Sequence, residues 1–144
     1  AKAAIQLFDM IQSLDSVKLA LEMEKRAAAQ GRAGVDVLIE VNSGEEQKSG
    51  VDRAGIMELV DQVATCEHLR LWGLMTMAPF ADDRDIIRAA FRDLRILNEK
   101  IAARYRGHPR VQMKALSMGM SHDYEIAIEE GATMVRIGTA IFKG

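Results

Sequence analysis

Short apolar runs alternate along the chain with longer amphipathic ones. Phe8–Ser13 reads as a short strand. Asp15 or Ser16 can cap a helix that runs to about Gln30 and stops at Gly31, with Val17, Ala20, Leu21, Ala27 and Ala28 near one face. Val35–Val41 is β-branched and predicts a second strand, followed by a polar loop over Asn42–Gly50. Asp52 can cap a helix carrying Ile56, Leu59, Val60 and Val63 at helical spacing. Leu69–Thr76 predicts a third strand and Met77–Asp83 a loop around Pro79. A long helix follows, with Ile86, Ile87, Ala90, Phe91, Leu94, Leu97 and Ile101 on one side, ending over Tyr105–Pro109. Val111–Ser117 predicts a fourth strand, broken by Gly119. Ser121 can cap a helix from about His122 to Glu130, which Gly131 closes. Thr133–Ile137 is the fifth strand.

Five strand-then-helix units, the last ending after its strand, imply an α/β fold with a parallel sheet and helical crossovers. A full (β/α)-barrel takes ~250 residues for eight units, so five units would need about 155. The 144 residues here fit that share, and fit a complete five-stranded doubly wound domain equally well. Periodicity does not choose between the two. Residues 1–144 read as a single domain, and the opening at Ala1 rather than Met reads as part of something longer.

Composition narrows the function classes. Nineteen Lys+Arg against 21 Asp+Glu leave a net charge of −2, without the basic footprint that nucleic acid or an anionic membrane would require. The longest mostly apolar stretch, Leu69–Ala81, is interrupted by Arg70, Gly73, Thr76 and Pro79 and is too short to span a bilayer. No basic segment followed by an apolar one opens the chain. Cys66 is the only cysteine, so an internal disulfide is impossible and a reducing, cytoplasmic setting is the simple expectation.

Ligands of parallel α/β folds bind beyond the carboxyl ends of the strands. Two clusters there carry chemistry. Ser117-Met118-Gly119-Met120-Ser121 offers hydroxyls and glycine N–H groups to an anion, and taken alone reads more readily as a plain strand-to-helix turn with Ser121 as N-cap. Arg136-Ile137-Gly138-Thr139 adds a guanidinium, a close backbone approach and a hydroxyl. A strand arginine needs an anionic or acceptor partner, and a structural pair with a carboxylate such as Asp123 would also serve. Adjacent units each offering Ser/Thr and Gly point to a phosphate-bearing ligand, since barrels commonly build phosphate sites from successive βα loops. Gly44–Ser49 lacks a residue and a glycine of a P-loop. His68, His108 and His122 have no metal-ligand spacing, so no metal is expected. Cys66 reads as a buried apolar residue, and Arg84–Arg106 as a solvated helix face.

Several segments together resemble one family. They are Phe8–Ser16, Val41-Asn42, Gly44–Glu46, Lys48–Gly50, Gly73–Pro79, Leu116–Ser121 and Ala127–Phe142. The chain resembles the pyridoxal-phosphate homeostasis proteins (proline synthetase co-transcribed homologues), a free-standing version of the alanine racemase N-terminal barrel. The resemblance implies a PLP-binding TIM-type (β/α) barrel, represented here by its last five β/α units. It implies pyridoxal 5′-phosphate as cofactor, with Ser117, Gly138 and Thr139 holding the phosphate and Met118, Gly119, Met120 and Ser121 lining the same loop. Asn42 joins the cofactor-binding set, and Arg136 faces the pyridine nitrogen. A permanently charged guanidinium there favours an unprotonated ring nitrogen and weakens the cofactor as an electron sink.

The family's covalent cofactor lysine belongs to its first strand and has no counterpart here, so no catalytic residue is assigned. Lys114 precedes the middle of its strand, and Lys48 follows a strand end but has Glu45 and Glu46 beside it. The implied function is intracellular carriage or homeostasis of pyridoxal 5′-phosphate without strong catalysis, with PLP-dependent apoenzymes as recipients. An amino-acid (alanine) racemase-like PLP enzyme is the alternative; it requires acid–base groups at the strand ends, where Tyr105 and Tyr124 do not lie. An open five-strand arc would present sheet edges for self-association.

Overall fold

The computed structural model describes residues 10–32, 34–42, 51, 53–77, 83–120 and 122–136. In chain order these form β1 (Met10–Leu14), α1 (Val17–Ala29), β2 (Val35–Glu40), α2 (Arg53–Ala64), β3 (Leu69–Thr76), α3 (Arg84–Arg104), β4 (Val111–Met120), α4 (Tyr124–Glu129) and β5 (Met134–Arg136). All four strand pairings are parallel, and the spatial order β1-β2-β3-β4-β5 is the order in sequence.

That order resolves the choice left open by periodicity. A doubly wound sheet reverses strand order at a switch point and places helices on both faces. Here every crossover advances by one strand, and all four helices pack on one face. The main core joins Ala20, Met23, Ile56, Val60, Phe91 and Ile126 of the helices to the outward strand residues Val37, Ile39, Leu71, Leu74, Leu116 and Met118. The opposite face carries a separate cluster made only of strand residues: Leu38, Met75 and Ala115, with Trp72 and Met134 against them. This is the arrangement of an arc of (β/α)-barrel, one face toward helices and the other toward the barrel axis.

The helix ends follow from local chemistry. Ser16 caps α1 by accepting from Leu19 N at 3.1 Å, and Asp83 caps α3 by accepting from Asp85 N at 2.8 Å. Both α1 and α4 end in a Schellman motif with glycine at positive φ. Gly31 N and Arg32 N donate to Ala28 O and Ala27 O; Gly131 N and Ala132 N donate to Ile128 O and Ala127 O.

Two boundaries and one burial differ from the sequence expectation, and parts of two expected elements lie outside the described residues. β4 runs on through Gly119 to Met120, because glycine at φ 102° turns the chain without ending the pairing. α4 begins at Tyr124 and spans only six residues, with Asp123 at its N-cap position; Ser121 lies outside the described residues. β1 is described from Met10, so Phe8 and Asp9 of the expected strand are also outside them, as is Asp52. Ile86 is half exposed although Ile87, Phe91, Leu94 and Ile101 are buried, since neighbours 100° apart on a helix cannot share the centre of one face.

One irregularity shapes the middle of the sheet. Between the Leu71↔Val111 and Gly73↔Ala115 pairs, β4 advances by more residues than β3. Met113 takes up the excess at φ 50°, and Asn98 of α3 donates to its carbonyl at 3.1 Å. A Cβ on Gly73 would lie 1.7 Å from Ala115 O, so only glycine lets the two strands meet there.

Candidate functional site at the carboxyl ends of the sheet

Strand register places the candidate residues. Glu40 pairs with Met75, Met75 with Ser117, and Ser117 with Met134. Because Leu38 and Met75 face the barrel axis, alternation puts Glu40 and Ser117 on that face too, in one row across four strands. Ser117 is fully buried and Glu40 nearly so. Their backbones are two strand spacings apart, about 10 Å. Arg136, the last residue of β5, pairs with Met120. The two sequence clusters therefore lie side by side through Ser117–Met120 and Arg136. Gly138 and Thr139 fall outside the described residues.

Asn42 follows the end of β2, where its N–H donates to Val51 O at 2.9 Å while Val51 N donates to Glu40 O at 2.8 Å. This pair ties the loop after β2 back to its strand, at the same end of the sheet as Ser117. Thr76 Oγ1 donates to Val41 O at 2.7 Å and joins the ends of β2 and β3. Met118 is at the expected place in the chain, but its side chain is buried in the helix-side core; only its backbone belongs to the loop. Gly119 presses on α4: a Cβ there would lie 2.6 Å from Ala127 Cβ.

The electrostatics of the loop depend on Asp123. Its Oδ1 accepts from Met120 N at 2.6 Å and its Oδ2 lies 3.4 Å from His122 Nε2, with the carboxylate almost fully buried. A second carboxylate, Glu130 at the far end of α4, is enclosed by α3. Arg88 Nη1 donates to it at 2.8 Å, Arg92 Nε at 3.4 Å, and Arg95 Nη2 lies 3.8 Å away. The Arg88 hydrogen bond, above all, holds the Glu130 carboxyl below the ordinary carboxylate range. The charged run on α3 is thus a docking surface for α4 along this stretch and not simply a solvated face.

The amino ends of the strands hold structural contacts. Arg70 Nε donates to Asp36 Oδ1 at 2.6 Å, which raises the guanidinium's already high pKa, and its Cζ lies 4.9 Å from the Trp72 ring centre. Lys114 Nζ lies 5.3 Å from the same ring, at the end of the barrel axis away from Ser117. Lys48 lies outside the described residues. The histidines are separately engaged. His68 Nδ1 lies 2.6 Å from Glu24 Oε2, His108 Nδ1 accepts from Arg110 N, and His122 stands beside Asp123. Burial would raise the Glu24 carboxyl, but its hydrogen bonds from His68 and Glu67 outweigh that and lower it. Cys66 is buried as anticipated, and burial pushes its thiol up to about 11.

Sequence reasoning missed Glu40 and Thr133, and expected Asp123 beside Arg136 rather than on Met120 N. Thr133 Oγ1 accepts from Leu116 N at 2.8 Å and stitches the start of β5 to β4. Glu40 was legible as the only charge in the second half of an alternating β-branched strand, on the face opposite Ile39.

Among the described residues no helix is long and apolar enough to cross a membrane. Comparison with known proteins gives consistent relatives. A pyridoxal phosphate homeostasis protein of Aquifex aeolicus is 45% identical over 134 residues, 92% of this chain and 57% of the relative. One of Helicobacter pylori is 40% identical over 136 residues, 93% of this chain and 57% of the relative. The chain thus spans just over half the length of the curated relatives it matches. PipY of Synechococcus elongatus, solved with PLP bound, superposes with a TM-score of 0.84 at 29% identity, over 98% of this chain and 64% of that one. The family description of the alanine racemase N-terminal domain matches residues 1–144. With the matching arc of sequential parallel strands, this chain belongs to the alanine racemase N-terminal domain family.

Proposed function

We propose that the chain is the carboxyl-terminal part of a pyridoxal 5′-phosphate-binding barrel and serves in carriage and homeostasis of that cofactor in the cytoplasm, without strong catalysis. The observation that carries this reading is the pairing of Met120 with Arg136. It brings the end of β4, through Met120, beside Arg136 on the neighbouring strand end, where a phosphate-bearing ligand of a barrel binds. The relatives named for pyridoxal phosphate homeostasis, and PipY with PLP bound, support the choice of ligand.

The residues present fit such a group. Ser117 supplies a buried hydroxyl, and Ser121, Gly138 and Thr139 add hydroxyl and N–H donors by sequence. Asp123, the described carboxylate of the loop, directs its Oδ1 onto Met120 N. Glu40 stands at the far end of the Ser117 row, which favours the phosphate over β4–β5. The helix dipole adds little, because α4 has only six residues. When bound, the cofactor supplies an aldehyde and an electron-withdrawing pyridine; Arg136 would keep the ring nitrogen unprotonated and hold that capacity low. Binding, orientation and water exclusion are the work left to the chain's own residues.

PLP-dependent apoenzymes are the proposed recipients, and the open edges of β1 and β5 are surfaces for self-association. Equilibrium dialysis with pyridoxal 5′-phosphate, followed by absorption spectra and borohydride reduction with intact mass, tests the reading. Saturable binding without one stoichiometric covalent adduct is expected. Absence of saturable binding overturns it for this chain.

A further inference from the structure

Asp123 occupies the N-cap position of α4, yet its side chain makes no capping hydrogen bond. Ser16 and Asp83, at the N-caps of α1 and α3, each accept from an N–H further along the chain. Asp123 turns the other way. Its Oδ1 accepts from Met120 N at 2.6 Å, while Asp123 N donates to Met120 O at 3.1 Å. The two bonds close a clasp between the end of β4 and the start of α4. The residue forgoes a cap and desolvates a carboxylate that is 3% exposed. A charge-assisted hydrogen bond offsets that cost only if its geometry is held.

The clasp has mechanical consequences. Met120 is paired with Arg136, so fixing Met120 N–H fixes the loop relative to β5. Gly119, at φ 102°, lies directly against Ala127, so the loop and α4 move as one body. α4 is anchored at its other end by Glu130 against Arg88 of α3. The end of β4 at Met118–Met120 is therefore preset before any ligand arrives, which lowers the ordering cost of binding.

We infer that Asp123 is a positioning residue for the phosphate end of the proposed site, acting through the Met120 N–H rather than by touching ligand. The inference rests on the functional reading above and deepens it. It requires that loss of the clasp weaken recognition of the phosphate group and leave recognition of the pyridine ring alone.

The test compares dissociation constants for pyridoxal 5′-phosphate and for pyridoxal, which lacks the phosphate, together with hydrogen exchange at the Met120 amide. In Asp123→Ala the ratio of the two affinities should fall about tenfold, the scale of one charge-assisted hydrogen bond, and the Met120 amide should lose protection. Asp123→Asn keeps an acceptor in place and should restore most of the ratio. Arg70→Ala, which breaks the contact with Asp36 at the amino ends of the strands, should leave the ratio unchanged. If Asp123→Ala does not fold, Asp123→Glu, which keeps the charge but displaces the acceptor, should still lower the ratio. An unchanged ratio in Asp123→Ala, or an equal fall in Arg70→Ala, overturns the inference. If the unaltered chain binds neither compound, the functional reading fails instead; the exchange measurement then still decides the clasp, since Met120 must be protected with Asp123 and unprotected in Asp123→Ala.

Discussion

Glu130, at the carboxyl end of α4, accepts a hydrogen bond from Arg88 of α3 at 2.8 Å across 42 positions of sequence. Arg92 and Arg95 stand around the same carboxylate, and Arg88 also reaches Glu129 at 2.6 Å. The Glu130 carboxyl is held below its ordinary value, mainly by Arg88. A depressed folded-state value means the stabilisation is fully present above the ordinary carboxylate range and is lost as pH falls through the lowered value. Glu130→Gln should lower the melting temperature at pH 7 by a few degrees and flatten the fall in stability below pH ~4.5, the ordinary carboxyl value. Thermal scans of both proteins from pH 3 to pH 7 read this directly; parallel curves would show that Glu130 is not the group involved.

Gly73 meets the backbone of Ala115 so closely that no side chain fits. The obstacle is a carbonyl oxygen of a paired strand, which cannot rotate away as a side-chain tip could. Gly73→Ala should therefore cost about 4 kcal/mol or more, in the range reserved for severe backbone conflicts. Urea denaturation would measure the loss, with Ala115→Gly on the Gly73→Ala background expected to give no rescue because the clash is with backbone.

The Cys66 thiol is buried and raised to about 11, first by burial and then by the nearby Glu24 carboxylate. Against an unperturbed value of 9.0, about a hundredfold less thiolate is present at pH 8. Thiol titration with a coloured disulfide should be slow in the folded chain and fast in urea, and should accelerate as pH rises. Equal rates in both states would show that the thiol is open to solvent.

Trp72 is the only tryptophan and lies on the axis-facing side of the sheet, between Arg70 and Lys114. Each cation at a partly exposed ring contributes about 0.5–1 kcal/mol. Arg70→Ala should cost more than Lys114→Ala, because Arg70 is also fixed by Asp36. Emission from Trp72 should shift in both variants. Pyridoxal 5′-phosphate bound at the other end of the same face should quench it, which makes the unmodified chain its own reporter.

Much of the fold was readable in the residues. The third strand has the bounds Leu69–Thr76 that its apolar run suggested, and Ser16, Gly31 and Gly131 mark helix ends as their chemistry requires. What stayed hidden depends on distant partners. Strand order decides between a doubly wound sheet and a barrel arc, and no local pattern encodes it. The run of arginines on α3 looks like a solvent face until Glu129 and Glu130 arrive beside it. Asp123 reads as a candidate partner for Arg136 until its carboxylate is found on Met120 N. Gly119 looks like a strand breaker because φ preference alone does not reveal that pairing continues to Met120. The candidate site reads in the sequence as two Ser/Thr–Gly clusters, of which the described parts, Ser117–Met120 and Arg136, lie on neighbouring strands; the row of axis-facing residues does not read there, because a row is a property of register.

The monotonic strand order also bears on how the chain reaches this shape. Every pair in the sheet joins segments that follow one another in sequence: Met10 to Asp36, Val35 to Leu69, Leu71 to Val111, and Ser117 to Met134. The last is the shortest span, and closing a shorter loop costs less entropy. Assembly can therefore proceed by accretion, strand by strand, with β4 and β5 meeting first. Pulse-labelled hydrogen exchange during refolding should find the amides of these two strands protected ahead of those of β1 and β2. The strands that carry the proposed site would then also be the nucleus from which the rest of the arc grows.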